Sequence, residues 1–526
     1  MKKDSKQESF FWGDLVADEV IKRKRKKNYV VESGISPSGT IHFGNFREIM
    51  TVDLVKRSLE DKGKSVKFIY AWDDFDRLRK VPNNVPKEFE KYIGMPYCWI
   101  PDPFGCHKTY AEHFEKEFEE SLNPVGIKPE FIRQHEKYEN CEYAEEIKVA
   151  MNARAAIKAI LDKYREHNLE KSWYPLSIYC EKCKKDSTSV TEYDGEYTVS
   201  YKCKCDHKDT IDFRKKGIVK LPWRVDWPMR WNHNNVDFEP GGKEHSTPGG
   251  SITTAQEIIK EVWAKEPPVY KKYEFIILKG VGGKMSGSLG NIISLTEVLE
   301  VYEPEMVRWM FAGTRPSAEF FVSFDLDVIK NYEDFDRLER MYYGKEEAKN
   351  EKEKEKNKRI YEVSCIGQAS KKMPIRIAFR HLINLLQIHN KDIEKVITIE
   401  ELEKGANLDK LRTRAKCALN WLEKYAPEEF KFEIQEKLHP ELKLTPTHKG
   451  ALNDVADFLE KTKKPGEKQL FEEFYNITQK HGISPAEFFE VGYLVLLNKK
   501  RGPKLANFIL TLGREKVIEM FREAGK

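Results

Sequence analysis

Asn28-Tyr29-Val30-Val31-Glu32-Ser33-Gly34-Ile35-Ser36-Pro37-Ser38-Gly39-Thr40-Ile41-His42-Phe43-Gly44-Asn45 is the stretch from which the fold is read. Asn28 to Glu32 has the β-branched and aromatic content of a short strand. The Gly/Ser/Pro segment that follows must turn sharply, with Pro37 stiffening it and Gly39 and Gly44 letting backbone approach a ligand. Phe46 to Lys62 then alternates apolar and charged residues at helical spacing, and Lys67 to Trp72 is a second apolar strand ending at Asp73-Asp74. Strand, loop, helix, strand is how a mostly parallel α/β nucleotide fold begins, and ligands of such folds bind beyond the carboxyl ends of the strands. His42 and Asp74 fall there. His42 and Asn45 stand at i and i+3, so at a helix start both face one way. The N–H groups of that first turn attract phosphate, and His42 adds a donor whose charge can rise beside an anion. The same residues could equally do no more than cap a helix.

Working outward, residues 98–215 read as an insertion, helical over 110–121 and 141–168, with cysteine pairs in short β-like segments. The parallel sheet is expected to resume near Ile218 to Leu221. It continues past a Gly-rich loop, 241–250, through a helix at 252–264 and an apolar strand, Tyr273 to Leu278. Next comes a second phosphate-handling motif, Lys284-Met285-Ser286-Gly287-Ser288, preceded by Gly280, Gly282 and Gly283. Such a loop can close over a ligand. Lys284 would neutralise a leaving pyrophosphate, Ser286 and Ser288 would donate hydroxyls, and Met285 would pack beneath. Neither motif is a Walker loop; together they read as two halves of one nucleotide site suited to adenylate chemistry.

Four of the nine cysteines fall in Cys180-x2-Cys183 and Cys203-x-Cys205-x-His207. This is ligand spacing for a structural zinc ion. The favoured set is Cys180, Cys183, Cys203 and His207, with Cys205 the competitor for the fourth place. Asp102, Cys106, His107 and His113 form a second candidate metal group in a loop also holding Pro101, Pro103 and Gly105. Its bland alternative is a Pro-rich loop with a buried cysteine. Either ion would pin the inserted module rather than catalyse.

At 526 residues the chain exceeds one hydrophobic core. The divisions read from pattern are 1–97 and 216–330 as two halves of a Rossmann-like catalytic domain, 98–215 as the zinc-containing insertion, and 331–526 as an all-helical region. Within the last, the Lys/Glu run 345–357 reads as a solvated helix or a link, and 376–387, 451–461, 485–498 and 503–512 have the spacing of bundle helices. A net charge of +5 over 91 Lys and Arg against 86 Asp and Glu says little about partners, since a basic nucleic-acid face needs only local charge. No run approaches the ~20 apolar residues of a membrane span, and no apolar stretch follows the basic start as in a signal peptide. A cytoplasmic, membrane-free chain, acting as a monomer, is the expectation.

The first motif resembles the HIGH signature of class I aminoacyl-tRNA synthetases, with Phe43 and Asn45 in place of Ile and the second His. The second resembles their KMSKS loop, with Gly287 in place of the middle Lys. The wider chain is similar to the archaeal-type class I lysyl-tRNA synthetases. Asn28 to Asn45, Trp72-Asp73-Asp74-Phe75-Asp76-Arg77-Leu78-Arg79, Trp223 to Trp231 and Gly241 to Gly250 carry the likeness. It implies ATP-dependent activation of L-lysine, with Mg²⁺ on the triphosphate, and transfer to the terminal 2′-hydroxyl of tRNA-Lys. It also implies an acceptor-stem role for the insertion and anticodon reading by the helical region.

The catalytic work would fall to His42, Asn45, Lys284 and Ser288. ATP would be met by Pro37, Ser38, Gly39, His42, Gly44, Asn45, Gly242, His245, Lys284, Met285 and Ser286. A lysine pocket needs a carboxylate for the ε-ammonium and an apolar sleeve for the methylenes. Glu32, Asp74 and Asp226 are candidate acceptors, and by likeness Gly34, Ser36, His245 and Tyr273 line the site. Trp223, Trp227 and Trp231 could be sleeve or plain core. Arg501, Lys504 and the Lys499-Lys500 pair are weak candidates for RNA contact. The nearest alternative is a glutamyl- or glutaminyl-tRNA synthetase of the same class, which would want a pocket arginine; a more distant one is an adenylyltransferase that uses no tRNA.

Overall fold

The computed structural model describes residues 10–280, 285, 292–399 and 407–526. Two compact units divide the chain. The first comprises Met1–Leu299, Pro304–Val322 and Leu338–Ala369; the second comprises Glu300–Glu303, Ser323–Arg337 and Ser370–Lys526.

The first unit is built on a five-stranded, wholly parallel sheet. After a helix, α1 (Trp12–Arg23), come β1 (Asn28–Ile35), α2 (Phe43–Asp61), β2 (Ser65–Trp72) and β3 (Glu130–Arg133). The strand Val269–Tyr273 lies outermost on the other side, next to Phe238–Gly242, which pairs with β1. The chain thus leaves β1 in one direction through β2 and β3, and in the other through Phe238–Gly242 and Val269–Tyr273. The gap opening above β1 and Phe238–Gly242 is a topological switch point, where α/β sheets bind ligands. Close strand approach explains Gly34: a Cβ there would stand 2.4 Å from the Ala71 carbonyl oxygen on β2.

The sheet resumes later than the pattern suggested. Val219–Lys220 pairs antiparallel with Ser177–Ile178, outside the main sheet, and the central sheet restarts at Phe238. The Tyr273 to Leu278 run is also two strands. Val269–Tyr273 belongs to the central sheet, and Ile276–Leu278 pairs in parallel with Phe320–Val322. The break falls at Glu274-Phe275, whose carbonyls accept from the guanidinium of Arg47 at 2.8 and 3.2 Å. The same side chain donates to the carbonyls of Arg315, Pro316 and Ala318 at 3.0, 3.0 and 2.7 Å. A buried charge satisfied by five backbone acceptors ties α2 to the segments leading into both strands of the small sheet.

The stretch 98–215, read above as an insertion, holds β3 of the central sheet as well as the helices Tyr110–Leu122, Gln134–Glu139, Ala144–Asn152 and Arg154–Asp162. Its small antiparallel sheet is Thr188–Tyr193, Thr198–Cys203 and Lys208–Asp212.

The second unit is helical. Its core joins Leu452, Val455 and Leu459 of Pro446–Lys461, Leu470 and Phe474 of Glu467–His481, Phe488 and Leu496 of Pro485–Leu497, and Phe508 of Leu505–Leu512. Local sequence sets the helix ends. Thr445 and His448 form a reciprocal capping box, Ser484 caps the amide of Glu487 ahead of Pro485, and Gly482 and Asn498 end their helices in the left-handed conformation. Among the described residues no helix is long and apolar enough to cross a membrane.

Candidate active site

The loop after β1 carries the first motif to the carboxyl edge of the sheet. Ser36 Oγ donates to Asp76 at 3.1 Å, and Tyr110 OH donates to the Ser38 carbonyl at 2.8 Å, anchoring the turn from both sides. His42 is the N-cap of α2. Its Nδ1 accepts from the Asn45 amide at 3.3 Å, so the neutral ring carries its proton on Nε2. Capping and ligand contact are therefore not exclusive; they use different nitrogens. Gly44 permits this fold-back, since a Cβ there would lie 2.8 Å from His42 Nδ1. Pro37 and Gly39 complete the turn, and Gly39 faces Pro82.

Of the second motif, Lys284, Ser286 and Ser288 lie outside the described residues. Met285 is described: it is buried, and its Cβ is 3.9 Å from where a Cβ on Gly44 would stand. Just downstream, the Phe43 amide donates to the Ile293 carbonyl at 2.7 Å, and His42 forms a bridge with Ser294. Segments far apart in sequence meet at the start of α2.

Beneath lies a buried polar network. Asp226, fully enclosed, accepts from Tyr138 OH and from Lys220 Nζ at 3.2 Å, and forms an ion pair with Arg230, whose Nε stands 3.3 Å away. Lys220 also reaches Asp76 at 3.1 Å, and Arg230 donates to Asp73 at 2.8 Å. Asp74 is equally enclosed, its carboxylate paired with the imidazole and, at 2.8 Å, the amide of His135. Both aspartates predicted as ammonium acceptors are thus already held by partners of this chain.

Glu32, Glu48 and Glu239 differ. Glu32, buried on β1, accepts from Asn234 at 2.9 Å; burial pushes its carboxyl up to about 7 against the pull of Arg230. Glu48 on α2 accepts from the Gly34 amide at 3.2 Å and Tyr273 OH at 2.7 Å, and burial raises it to about 7 as well. Glu239, bonded to Trp231 Nε1, is raised by burial and by the charge of Glu32. Burial also lifts Asp73 to about 6. Raised carboxyl pKa values of this kind mark acidic groups for which the surroundings supply too little positive charge.

The aromatic wall comes from the helix Trp223–Asn234. Trp223 and Trp227 stack at 4.8 Å, Trp227 and Trp231 lie 5.0 Å apart, and His245 stands 6.1 and 5.9 Å from the first two. His245 follows Gly242 in the turn Lys243–Ser246, and burial lowers its pKa, favouring the neutral ring. Tyr273 ends the edge strand.

In the insertion, the thiols of Cys180, Cys183, Cys203 and Cys205 share one cluster. Cys180 to Cys205 and Cys183 to Cys203 are each 3.6 Å apart. The edge of a tetrahedron with Zn–S bonds of about 2.3 Å is about 3.8 Å, so the donors fit zinc. Two similar turns deliver them, with Lys184 and Asp206 in the left-handed region. Cys205, rather than the favoured His207, joins the set. His207 sits beyond the second turn, grouped with Glu181 and Asp209. The second group also converges: Cys106 Sγ lies 3.1 Å from Nδ1 of both His107 and His113, and His113 Nδ1 is 3.5 Å from Asp102. Asp102 in turn accepts the amides of Phe104, Cys106 and His107.

A parallel sheet with a nucleotide-type helix start at its switch point, met there by Met285 and the Ile293–Ser294 segment from far downstream, has the architecture of a class I synthetase catalytic unit. Residues 10–367 match the family model described as tRNA synthetases class I (K). The chain belongs to that family. It is 46% identical to a lysine–tRNA ligase of Borrelia garinii subsp. bavariensis over 97% of this chain and 99% of that one. Identity is 43% to the lysine–tRNA ligase of Thermococcus kodakarensis, over 98% and 99%, and 42% to that of Treponema pallidum, over 98% of each.

Proposed function

We propose that this chain is a lysine–tRNA ligase that forms lysyl-adenylate from L-lysine and ATP and then charges tRNA-Lys. The observation that carries the choice of amino acid is the buried acidic excess at the switch point. Glu32, Asp73, Asp226 and Glu239 are buried and Glu48 and Asp76 half-buried, while the buried cations acting on this group among the described residues are Lys220 and Arg230. Those two cations pair directly with Asp73, Asp76 and Asp226 and act on Glu32 and Glu239 only through the longer-range pull of Arg230, which leaves Glu32, Glu48 and Glu239 to attract a cationic substrate. A glutamate or glutamine site would invert this balance. Trp223 and His245 supply a flat wall for the methylene chain.

The reaction needs position and charge neutralisation rather than a protein nucleophile. The lysine carboxylate attacks the α-phosphate of ATP, and the bond to the β-phosphate breaks to release pyrophosphate. In the second step the terminal 2′-hydroxyl of tRNA attacks the adenylate carbonyl and AMP leaves. His42 offers its Nε2 proton and Asn45 its amide side chain to phosphate oxygens at the start of α2. Lys284, Ser286 and Ser288 are assigned to the leaving pyrophosphate. Mg²⁺ bound with ATP neutralises the triphosphate. Zinc held by Cys180, Cys183, Cys203 and Cys205 would cross-link two turns of the insertion, and Asp102, Cys106, His107 and His113 could hold a second ion.

Charging of purified tRNA by radiolabelled lysine tests this reading. Acid-precipitable lysine that depends on ATP and on Lys284 supports it; charging by glutamate or glutamine in its place overturns it.

A further inference from the structure

Asp74, just past β2, is a buried carboxylate for which the lysine pocket and the phosphate contacts have no use. One of its oxygens accepts the backbone amide of His135 at 2.8 Å, and the other holds the imidazole at Nδ1. An ionised carboxylate only accepts, so Nδ1 carries the ring proton and Nε2 keeps its lone pair. The His135 side chain is 25% exposed while that of Asp74 is 0% exposed, the arrangement of a base held by a buried orienting group. Elsewhere, His233–Glu146, His448–Glu487 and His481–Asp454 pair through carboxylates that are 17%, 48% and 23% exposed, where solvent loosens the hold.

The pair stands on the reactive edge of the sheet. Ile35, Trp72 and Arg133 are in register across β1, β2 and β3, so Ser36, Asp73-Asp74 and Gln134-His135 form one row just beyond the carboxyl ends. Two strand spacings of about 4.8 Å put the backbone of His135 about 10 Å from the end of β1, a gap that a sugar and an imidazole fill together. Backbone contacts hold the row stiff. The Asp73 amide donates to the Ile35 carbonyl at 3.0 Å, and the Cys98 amide to the Asp74 carbonyl at 3.1 Å. Gln134, fully buried, accepts Tyr143 OH at 3.0 Å. On the other side of the switch point, Phe238–Gly242 leads into the His245 turn, which packs on Trp223 and Trp227. A third reactant therefore meets the adenylate from the β2–β3 side.

We propose that His135, oriented by Asp74, is the proton acceptor for the terminal 2′-hydroxyl of tRNA in the transfer step. The inference rests on the proposed function for its two reactants. As the 2′-oxygen bonds to the lysyl carbonyl carbon, its proton passes to Nε2. The tetrahedral adduct then collapses, the bond from that carbon to the phosphate oxygen breaks, and AMP leaves with the electron pair. The imidazolium afterwards gives its proton to water. Burial pulls the His135 pKa down, but the bond to Asp74 and the charges of Asp74, Glu139 and Glu136 outweigh it and raise the ring above its ordinary value. That strengthens the base and still leaves a neutral fraction to act near pH 7. Behind Asp74, burial pushes Glu115 up to about 8 and raises the Cys98 thiol, so both are mainly protonated at pH 7.

The test is single-turnover transfer from synthetic lysyl-adenylate to a tRNA-Lys transcript, by the full-length enzyme and by His135→Asn, between pH 5.5 and 8.5. Asparagine keeps a donor toward Asp74 but accepts no proton, so a pin that merely tied β3 to β2 would survive the change. Thermal unfolding checks the fold, and His135→Gln repeats the comparison should the asparagine variant unfold early. ATP–pyrophosphate exchange, measured with a transcript whose terminal ribose lacks the 2′-hydroxyl, gives the reference rate of each preparation. His135→Asn should lower transfer about 10²–10⁴-fold relative to that reference, the weight of general-base catalysis, with the KM for tRNA little moved. Wild-type transfer should rise with pH and level off above the ordinary histidine value of 6.5. Glu32 and Glu48 also titrate near 7, so a flattened profile in His135→Asn is what assigns the rise to the imidazole. An unchanged relative rate in the variant, or a flat wild-type profile, overturns the assignment and leaves the proposed function intact. A wild-type enzyme that makes no lysyl-tRNA overturns the proposed function and this assignment with it.

Discussion

The amide of Phe43 donates to the carbonyl of Ile293 across 2.7 Å, joining the first turn of α2 to the segment just beyond the second phosphate motif. Buried Met285 lies alongside Gly44. A nucleotide site split between distant segments requires such a junction, because each half alone is only a helix cap or a glycine-rich turn. Gly44 is the narrowest point. Gly44→Ala would press on His42 Nδ1 and displace the ring from its cap. A displacement of about 1 Å can cost on the order of 10²-fold in rate. Lysine-dependent ATP–pyrophosphate exchange should fall by about that factor, with circular dichroism unchanged.

Gly34→Ala should act on folding instead. Its Cβ would meet backbone, the Ala71 carbonyl, at 2.4 Å. Overpacking costs about 1–3 kcal/mol, and a backbone neighbour cannot rotate away. Thermal denaturation should show a lowered Tm, and the Gly34–Glu48 hydrogen bond should be lost with it.

Lysine affinity should depend on pH through Glu32 and Glu48, both raised by burial to about 7. An acid whose folded pKa is raised stabilises the fold below its unfolded value, near 4.5, and loses that contribution as pH rises through 7. The ligand-free protein should therefore lose stability between about pH 4.5 and 7. Lysine binding, which requires the charged carboxylates, should strengthen over the upper part of that range. Calorimetric titration from pH 5.5 to 8.5 measures the second trend and thermal unfolding the first. Glu48→Gln should abolish part of the pH dependence and raise the KM for lysine about tenfold or more, the weight of a hydrogen bond to a charged group.

Metal content should separate the candidate ligands. Cys205→Ser should release an ion that His207→Ala retains, since the thiol and not the imidazole shares the cluster with Cys180, Cys183 and Cys203. Cys106→Ser should leave that ion in place and remove a second one. Elemental analysis of the purified proteins gives the count directly.

How much of this was legible in the sequence follows from the range of each interaction. The β1–turn–α2–β2 run, the cysteine spacing and the helical second unit are local patterns and could be read in advance. The partners of the carboxylates could not. Asp74 and Asp226 looked open because His135 and Tyr138 reach them only through the fold, although Arg230, one turn after Asp226 on the same helix, was a legible partner. Glu48 gave no signal, being one more charged residue in an amphipathic helix until Gly34 and Tyr273 arrive beside it. Glu239 was the better clue: a carboxylate in a buried strand needs a reason. The break at Glu274-Phe275 was hidden because Arg47, which holds it, is distant in sequence.

The most direct measurement of the central claim is ATP–pyrophosphate exchange with each of the twenty amino acids in turn, with and without tRNA-Lys. Exchange driven by lysine, sharply reduced in Lys284→Ala and weakened in Glu48→Gln, is the predicted result. Exchange driven by glutamate or glutamine while lysine fails would contradict the account.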